Sequence, residues 1–415
     1  MKLAVVGAGS TYTPELVAGL GRDQDVLGLD SLVLHDIDGE RREVVGGLAQ
    51  RMLDKQGYRG SLEPTGDLDR ALDGADFVLV QLRVGGQAAR LRDETIPLAC
   101  GCIGQETTGA GGFAKAFRTV PVVLEVAERV RANAGPGAWI VDFTNPVGIV
   151  TRALLDAGHR AVGLCNVAIG FQRSFARLLG VAPERVLVDQ VGLNHLTWVR
   201  AVRLDGQDVL PALLAEHGDA IAEQSGSPLA LMEELGAVPS YYLRYFYAHD
   251  EVLAEQLDGE PRAVTVAQIE RELLAMYRDP ALTEKPALLE RRGGAFYSEA
   301  ALGLVRSLAS DNGGVHVVDT RNGSTLDGLR PDDVVEVPAR IGREGPVPIE
   351  QRPLAPELLG LVQHVAAYER LAAEAAVTRD RALIRKALLA HPLVAQHAKV
   401  EQLADELVAE AQARA

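Results

Sequence analysis

The sequence is poor in cysteine, in long apolar runs and in positive charge, and each shortage excludes a class of protein. Only three of the 415 residues are cysteines, Cys100, Cys102 and Cys165, which is too few for a disulfide framework and favours a reducing, cytoplasmic compartment. No apolar run approaches the roughly 18 residues that cross a bilayer. The opening stretch, MKLAVVGAGS, turns from a short apolar segment into glycines and does not continue as a secretory signal.

Acidic residues outnumber basic ones, 57 to 42, which gives a formal net charge of −15. Nucleic acids and anionic membranes require a basic surface, so neither is expected as a partner. An anionic small molecule remains open, because a few arginines can hold it against an unfavourable overall field. The hydrophobic content of 47% and the charged content of 24% are typical of a soluble globular protein with two or three structural units.

The first part of the chain alternates short apolar segments with helical patterns, which predicts an α/β fold with a Rossmann-type parallel sheet. The segment KLAVV leads into Gly7 and Gly9, and such a glycine turn lets the backbone approach a pyrophosphate at a helix N-terminus. Asp36 follows Gly9 by about 27 residues and is a candidate acceptor for a ribose hydroxyl. Tyr12 takes the place of the third glycine of the fingerprint, so a glycine-rich turn in a nucleotide-free domain is the alternative.

Two polar pairs, Cys165-Asn166 and Asn194-His195, each follow a predicted buried strand. The carboxyl ends of strands are the usual location of a site in an open α/β sheet. A thiolate and an imidazole suit a divalent transition metal and leave coordination positions for substrate oxygens. A buried, inert cysteine is the simpler alternative, and the spacing alone does not decide between them.

Three further segments have a composition typical of active sites. The composition of each can also be explained by a purely structural role. Residues 101–121 form a glycine-rich polar loop that leads into a helix, where Thr107 and Thr108 would serve as caps. The aromatic segment 238–250 is typical of a core, although a tyrosine beside a metal can act as a general base. A helix is predicted to open at or near Arg262, and an arginine in a first turn opposes the helix dipole, so we expect it to pair with an anion.

Together these segments resemble the NAD-dependent glycosidases of glycoside hydrolase family 4, most strongly the 6-phospho-β-glucosidase branch. The resemblance extends in order over about 335 residues and is carried by the segments VVGAGSTYTPEL, RVGGQAAR, IGQETTGAGGFAKAFRT, FTNPVGIVT, GLCNVAIG, VGLNHLTW, YLRYFY, EKPALLERRGGAFYSEAA and RNGSTLDGLRPDDVVEVP. The assignment to the β branch depends on Asn166, where α-specific members tend to carry an aspartate.

The resemblance implies a role for each matching residue. The implied metal ligands are Cys165 and His195, most often for Mn²⁺. Tyr242 is the implied general base, and Glu106 the acid that raises its basicity. The implied substrate-binding residues are Arg90, Asn145, Asn166 and Arg262, with Arg262 as the foremost phosphate partner. The implied NAD-binding residues are Gly7, Gly9, Ser10 and Asp36. Two residues depart from the family pattern: Ala168 replaces a common proline, and Tyr241 adjoins Tyr242, so the base could be displaced by one position.

The implied reaction oxidises carbon 3 of the sugar, removes the proton on carbon 2, expels the aglycone, adds water and returns the hydride, so NAD⁺ is not consumed.

We expect an NAD-binding domain over residues 1–165 and, over residues 166–415, a larger α+β substrate- and metal-binding domain with C-terminal helices. The implied partners are a phosphorylated disaccharide or aryl 6-phospho-β-glucoside and further copies of the chain, as a homodimer or homotetramer.

Other functions remain open on the sequence. Within the family, these are a 6-phospho-α-glucosidase, an α-galactosidase or a glucuronidase. Outside it, an NAD-dependent hydroxy-acid dehydrogenase would share the glycine turn but would need no cysteine-held metal and would release NADH. A sugar-phosphate sensor would bind both ligands and would tolerate the loss of Tyr242.

Overall fold

Short segments rich in valine, leucine and isoleucine form the strands, and all of them join one sheet. The computed structural model describes residues 1–294 and 296–413, and within these it has thirteen strands. They are β1 (Lys2–Val6), β2 (Ser31–His35), β3 (Ser61–Thr65), β4 (Phe77–Val80), β5 (Trp139–Asp142), β6 (Ala161–Gly163), β7 (Val186–Leu193), β8 (Leu196–Leu204), β9 (Gln207–Asp208), β10 (Val238–Pro239), β11 (Gly314–Arg321), β12 (Val334–Gly342) and β13 (Gly345–Pro348).

Helices cover the sheet and form most of the rest of the chain. In the first half they are α1 (Thr13–Arg22), α2 (Gln24–Leu27), α3 (Gly39–Lys55), α4 (Leu68–Leu72), α5 (Gly86–Ala99), α6 (Gly109–Asn133), α7 (Val147–Asp156) and α8 (Val167–Leu179). In the second half they are α9 (Leu210–Ser225), α10 (Leu229–Leu235), α11 (Arg244–Tyr247), α12 (His249–Asp258), α13 (Arg262–Tyr277), α14 (Tyr297–Ser310), α15 (Pro356–Thr378), α16 (Arg381–Ala390) and α17 (His397–Ala413). Short 3₁₀ turns span Pro183–Arg185, Tyr241–Leu243 and Ala287–Arg292.

The sheet has a parallel part and an antiparallel part. Strands β3, β2, β1, β4, β5 and β6 are parallel neighbours in that order, which confirms the predicted Rossmann-type α/β fold. The sheet then continues through β11, β12, β7, β8 and β10, all antiparallel. The strands of the second half therefore extend the nucleotide-fold sheet and do not form a sheet of their own.

Both faces of the parallel strands other than the edge strand β3 are buried, as expected for a sheet between helical layers. Alternate residues of β1 show this: Ala4 and Val6 belong to the core on one face, and Leu3 and Val5 to the core on the other. The C-terminal helices pack back on the first of these cores, where α15 contacts α6 and α7 and α17 contacts α5 and α6.

One feature of the topology determines where the candidate ligands lie. The hairpin β11–β12 separates β6, which precedes Cys165, from β7, which precedes His195. Its register aligns four residues in a row across these strands, from Gly163 through Asp319 and Glu336 to Gly192. No helix in the described part of the chain has the length and apolar character needed to cross a bilayer.

Candidate active site

The glycine turn after β1 forms one wall of a cavity of about 660 Å³ at the carboxyl end of the parallel strands. The cavity is lined by the four predicted cofactor residues and by Asn145, among others. Gly7 has φ +90°, a conformation that favours glycine. A Cβ atom there would lie 2.7 Å from the carbonyl oxygen of Gln81, so the turn has no room for a side chain.

Asp36 lies directly after β2 and faces the same turn. One carboxylate oxygen accepts a hydrogen bond from the Gly9 N–H at 2.7 Å, and the other accepts from the Asp38 N–H at 2.9 Å. A Cβ at Gly9 would lie 2.7 Å from this carboxylate. The turn is thus a bare backbone cradle with an acidic residue beside it, and it fits the pyrophosphate and ribose of a dinucleotide.

Tyr12, at the position of the missing third glycine, connects the turn to the segment opposite. Its hydroxyl donates to the Gly294 carbonyl, and the Arg292 guanidinium lies over its ring at 5.7 Å. Arg292 also pairs with Glu270 of α13 at 3.1 Å, and Glu270 accepts from Arg41 at 3.0 Å. These contacts join the two sides of the cavity, so the tyrosine has a structural function that a glycine could not supply.

Beside this cavity, the candidate base and the candidate metal ligands come together. The ring of Tyr242 stacks on the imidazole of His195, with centroids 3.6 Å apart and planes 7° apart. Burial raises the pKa of the Tyr242 phenol well above its usual value, and the Cys165 thiol and the Glu106 carboxylate raise it further, whereas Arg90 lowers it. Tyr242 therefore lies close enough to Cys165 and Glu106 for each to affect its ionisation.

The hydrogen bonds around His195 identify the nitrogen that can bind a metal. The Thr107 N–H donates to Gln105 Oε1, which fixes this oxygen as an acceptor, and the Thr107 hydroxyl must therefore donate to it at 2.8 Å. His195 Nδ1 lies 2.9 Å from the same hydroxyl oxygen and so must donate to it. The Nε2 lone pair then remains for a ligand, the arrangement typical of metal-binding histidines. Burial also lowers the pKa of His195 to about 3, which keeps the ring neutral.

Cys165 lies between the end of β6 and the start of α8. Burial raises the pKa of its thiol well above the usual value, and nearby Glu336 adds to this, whereas hydrogen bonds from the Val167 N–H and the Asn194 side chain favour the thiolate. Among the described residues no three His, Cys, Asp or Glu side chains form a metal cage. The donor set of one soft sulfur and one imidazole nitrogen fits a divalent transition metal whose other positions go to substrate or water.

Glu106 lies in a group of cations. It accepts from Lys115 at 2.6 Å and from Arg83, and Arg90 Nε lies 3.2 Å from its other oxygen. Burial alone would raise the pKa of Glu106, but the charges of Arg83, Lys115 and Arg90 hold it well below its usual value. Lys115 and Arg83 also line the dinucleotide cavity. The charged group around Glu106 therefore lies between that cavity and the site around Tyr242.

Arg90 connects this group to α13. It pairs with Glu94 at 2.7 Å, and the other Glu94 oxygen accepts from the Ala263 N–H in the first turn of α13 at 2.8 Å. Arg262 begins that helix, as predicted from the sequence, and is exposed, with its guanidinium donating to the Arg291 carbonyl at 3.0 Å. Among the residues that the structure describes, the predicted pairing of Arg262 with an anion is therefore not seen.

The two predicted asparagines occupy different positions. Asn145 lines the dinucleotide cavity, and its side chain hydrogen-bonds to Tyr297, whose own pKa is raised by burial and by nearby Cys165 and Tyr242. Asn166 directly follows Cys165 and is the residue before α8. Asn145 and Tyr297 therefore join the cavity to the group around Tyr242.

Sequence reasoning missed several residues of this site. Lys115 is embedded in a fully buried stretch of α6, and a single lysine in such an apolar stretch is a detectable signal, because a buried ammonium needs a partner. Thr108 is the residue before α6 but makes no capping bond, and Thr107, expected as a cap, binds His195 instead. The position of Tyr297 has no local signal, because it depends on contacts across the sheet.

Two models of one protein family match the chain, and individual relatives match it over most of its length. The model of the family 4 glycosyl hydrolases matches residues 2–181, and that of the family 4 glycosyl hydrolase C-terminal domain matches residues 190–394. A probable 6-phospho-beta-glucosidase of Bacillus subtilis is 40% identical, covering 98% of this chain and 96% of its own. The 6-phospho-beta-glucosidase of Escherichia coli is 34% identical, over 98% of this chain and 94% of its own.

A solved structure gives the same result for the fold. The 6-phospho-beta glucosidase from Thermotoga maritima, determined with manganese, NAD+ and glucose-6-phosphate, has a TM-score of 0.93 at 34% identity and covers 100% of this chain and 99% of its own. The match extends through both halves of the molecule. The chain therefore belongs to family 4 of the glycosyl hydrolases.

Proposed function

We propose that this chain hydrolyses 6-phospho-β-glucosides with NAD⁺ and a divalent metal, Mn²⁺, as cofactors. The observation that carries the proposal is the stacking of Tyr242 on His195, close to Cys165 and beside the dinucleotide cavity. A conventional glycosidase needs two carboxyl groups flanking the bond to be broken. The candidate site instead brings together a phenol, Tyr242, and two candidate metal ligands, Cys165 and His195. These groups support proton removal from a carbon of the sugar ring.

When bound, NAD⁺ would supply reversible hydride acceptance and the metal would supply Lewis-acid polarisation of the sugar oxygens. The residues of the chain would supply the proton transfer. Tyr242 would remove the proton on carbon 2 of the sugar. The Arg90 cation favours its phenolate, whereas burial and Glu106 oppose ionisation, so the phenolate would be scarce but strongly basic.

A surplus of cations supports a phosphorylated substrate. Arg83, Arg90 and Lys115 together carry more charge than Glu94 and Glu106, to which they are bonded. Arg262 adds an exposed guanidinium at the start of α13, close to Arg90 through Glu94. Charge-assisted bonds from such groups would select a phosphate despite the net charge of −15.

The proposed substrate-binding roles of the two asparagines follow from their neighbours. Asn145 has a buried side-chain oxygen without a hydrogen-bond partner in the described residues, and it lines the cavity. A sugar hydroxyl would satisfy that oxygen. Asn166, next to Cys165, would orient the sugar at the metal; it cannot donate as a carboxylic acid would, and this supports the β-linked substrate.

The decisive experiment is hydrolysis of 4-nitrophenyl 6-phospho-β-D-glucopyranoside by reduced, metal-stripped protein. We expect release of nitrophenol only when Mn²⁺ and NAD⁺ are both present, without net NADH. Net NADH would indicate a dehydrogenase, and activity without either cofactor would contradict the mechanism. If only α-linked or galacto analogues were hydrolysed, the proposed substrate would be wrong but the mechanism would stand.

A matched pair of variants tests the metal ligand. Cys165→Ser replaces the soft donor by a hard one and should abolish retention of the metal together with hydrolysis. Cys102→Ser makes the same change at another buried cysteine, which is distant in sequence and has no proposed role, and it should leave both unchanged. Equal losses in the two variants would contradict the assignment of Cys165.

A further inference from the structure

The acidic residue Glu336 is buried in the antiparallel part of the sheet and bonds to Asn194, the residue before the candidate metal ligand His195. Its side chain belongs to β12, and the residue is only 1% exposed. One carboxylate oxygen accepts from the Gln190 amide at 2.7 Å, and the other accepts from the Asn194 amide at 2.9 Å. Both donors belong to the β7–β8 hairpin, so Glu336 holds that hairpin at two points.

The hairpin turn between β7 and β8 consists of Asn194 and His195. His195 has φ +62°, a left-handed conformation that is unfavourable for a residue with a side chain. Gly192, just before the turn, has φ +147°, and a Cβ there would lie 2.0 Å from the Leu196 carbonyl oxygen. This strained turn persists only where the surroundings fix it, and the bonds to Glu336 supply such a constraint.

Asn194 also contacts the other candidate ligand. Its side chain lies close enough to the Cys165 thiol to favour the thiolate, and the same amide group donates to Glu336. Cys165 follows β6 and His195 follows β7, and these two strands are not neighbours because β11 and β12 lie between them. The Glu336–Asn194 pair thus connects the two ligands across this gap.

We propose that Glu336 is a positioning residue, which acts through Asn194 to set the geometry of both metal ligands, Cys165 and His195. The inference rests on the metal site of the proposed function. It assigns a role to a residue that is not among the proposed metal ligands or substrate-binding residues. Groups that orient metal ligands in this way commonly change metal affinity by about 10–100-fold when they are replaced.

The test is a Co²⁺ titration of the reduced full-length chain, followed through the absorption bands of the cobalt–thiolate bond. Glu336→Gln keeps the size of the side chain, but its NH₂ group faces one of the two amide donors, so at most one bond survives. We expect a folded protein whose Co²⁺ affinity falls about 10–100-fold and whose thiolate band shifts. Unchanged affinity and spectrum would overturn the proposal.

Asp319→Asn is the matched control, because it makes the same acid-to-amide change at the neighbouring position of the same cross-strand row. Both carboxylate oxygens of Asp319 lack a hydrogen-bond partner in the described residues, so the change breaks no bond to Asn194. Because Asp319 lies close enough to the Cys165 thiol to affect its ionisation, the comparison is between the two variants: Asp319→Asn should not weaken Co²⁺ binding, whereas Glu336→Gln should. Equal losses in both variants would overturn the proposal, since the effect would then be one of buried acidity alone.

Two further results separate this inference from the proposed function. If Glu336→Gln does not fold, Asn194→Ala decides, because it removes the connecting amide: weaker Co²⁺ binding supports the proposal and unchanged binding overturns it. A wild-type chain that takes up no Co²⁺ would refute the metal site itself, and this inference with it. If the wild type takes up Co²⁺ and the variants bind it equally well, only the role of Glu336 would be refuted, and the metal site would stand.

Discussion

The imidazole of His195 lies parallel to the phenol ring of Tyr242, with their centroids 3.6 Å apart. The candidate base is thus fixed against a candidate metal ligand, and a sugar bound at the metal would have its ring carbons near the phenol oxygen. This relationship distinguishes Tyr242 from Tyr241, whose side chain is 44% exposed and bonds to Arg244.

Tyr242→Phe should lower kcat by about 10²–10⁴-fold, the usual contribution of a general base. The phenyl ring can still stack on His195, so NAD⁺ and Mn²⁺ binding should be retained. The measurement is hydrolysis of the nitrophenyl substrate together with solvent-deuterium exchange at carbon 2 of the sugar. Tyr241→Phe is the control and should retain activity; the opposite result would move the base by one residue.

Thr107→Val should weaken Mn²⁺ binding by about 10–100-fold, because it removes the acceptor of the His195 Nδ1–H bond without changing the side-chain shape. Metal affinity can be measured by equilibrium dialysis of the reduced protein. Thr108→Val changes the adjacent residue, which makes no capping bond, and should have no effect on metal binding. Loss of affinity in Thr108→Val alone would contradict the assignment of the histidine nitrogen.

Tyr12→Phe should weaken NAD⁺ binding severalfold, since it removes the hydrogen bond to Gly294 that joins the glycine turn to the opposite side of the cavity. Loss of one such bond corresponds to about 1 kcal/mol. The dissociation constant can be measured by calorimetry. Tyr58→Phe removes a buried hydroxyl without a partner in the described residues and should leave NAD⁺ binding unchanged.

Asp142 should contribute a loss of stability as the pH rises from about 4 towards 8. Burial raises the pKa of Asp142 to about 8, so the folded state retains a proton that the unfolded chain releases near its usual pKa. The stabilisation is complete below the unfolded pKa and is lost as the pH rises through the folded one. Asp142→Asn should flatten the dependence by up to about 1.4 kcal/mol per pH unit, measured by urea unfolding; an unchanged slope would contradict it.

Local sequence patterns were sufficient to predict those features of the fold that are determined by residues adjacent in sequence. The glycine turn at Gly7 and Gly9, the helix that begins at Arg262, and the positions of Cys165 and His195 just after buried strands all follow from such patterns. The site roles assigned to these residues by resemblance stay predictions, and the variants above test them.

The pairing of strands that are far apart in the sequence could not be predicted from local patterns. Nothing near Cys165 or His195 indicates that residues 314–342 enter the sheet between their strands, because that pairing depends on the whole second half. The role of Glu336 was hidden for the same reason: nothing in the segment DVVEVP indicates that this residue faces Asn194. The ion pair of Lys115 with Glu106 is local by contrast, and the single lysine in the buried stretch of α6 was its signal.

The inserted hairpin β11–β12 also bears on the order in which the molecule is made. A nascent chain that has emerged from the ribosome only as far as residue 313 already contains Cys165, His195 and Tyr242. It lacks the two strands that join β6 to β7, and with them Glu336. The proposed metal centre can therefore be completed only late in synthesis, after the chain has passed β12, and metal loading should accompany the final steps of folding.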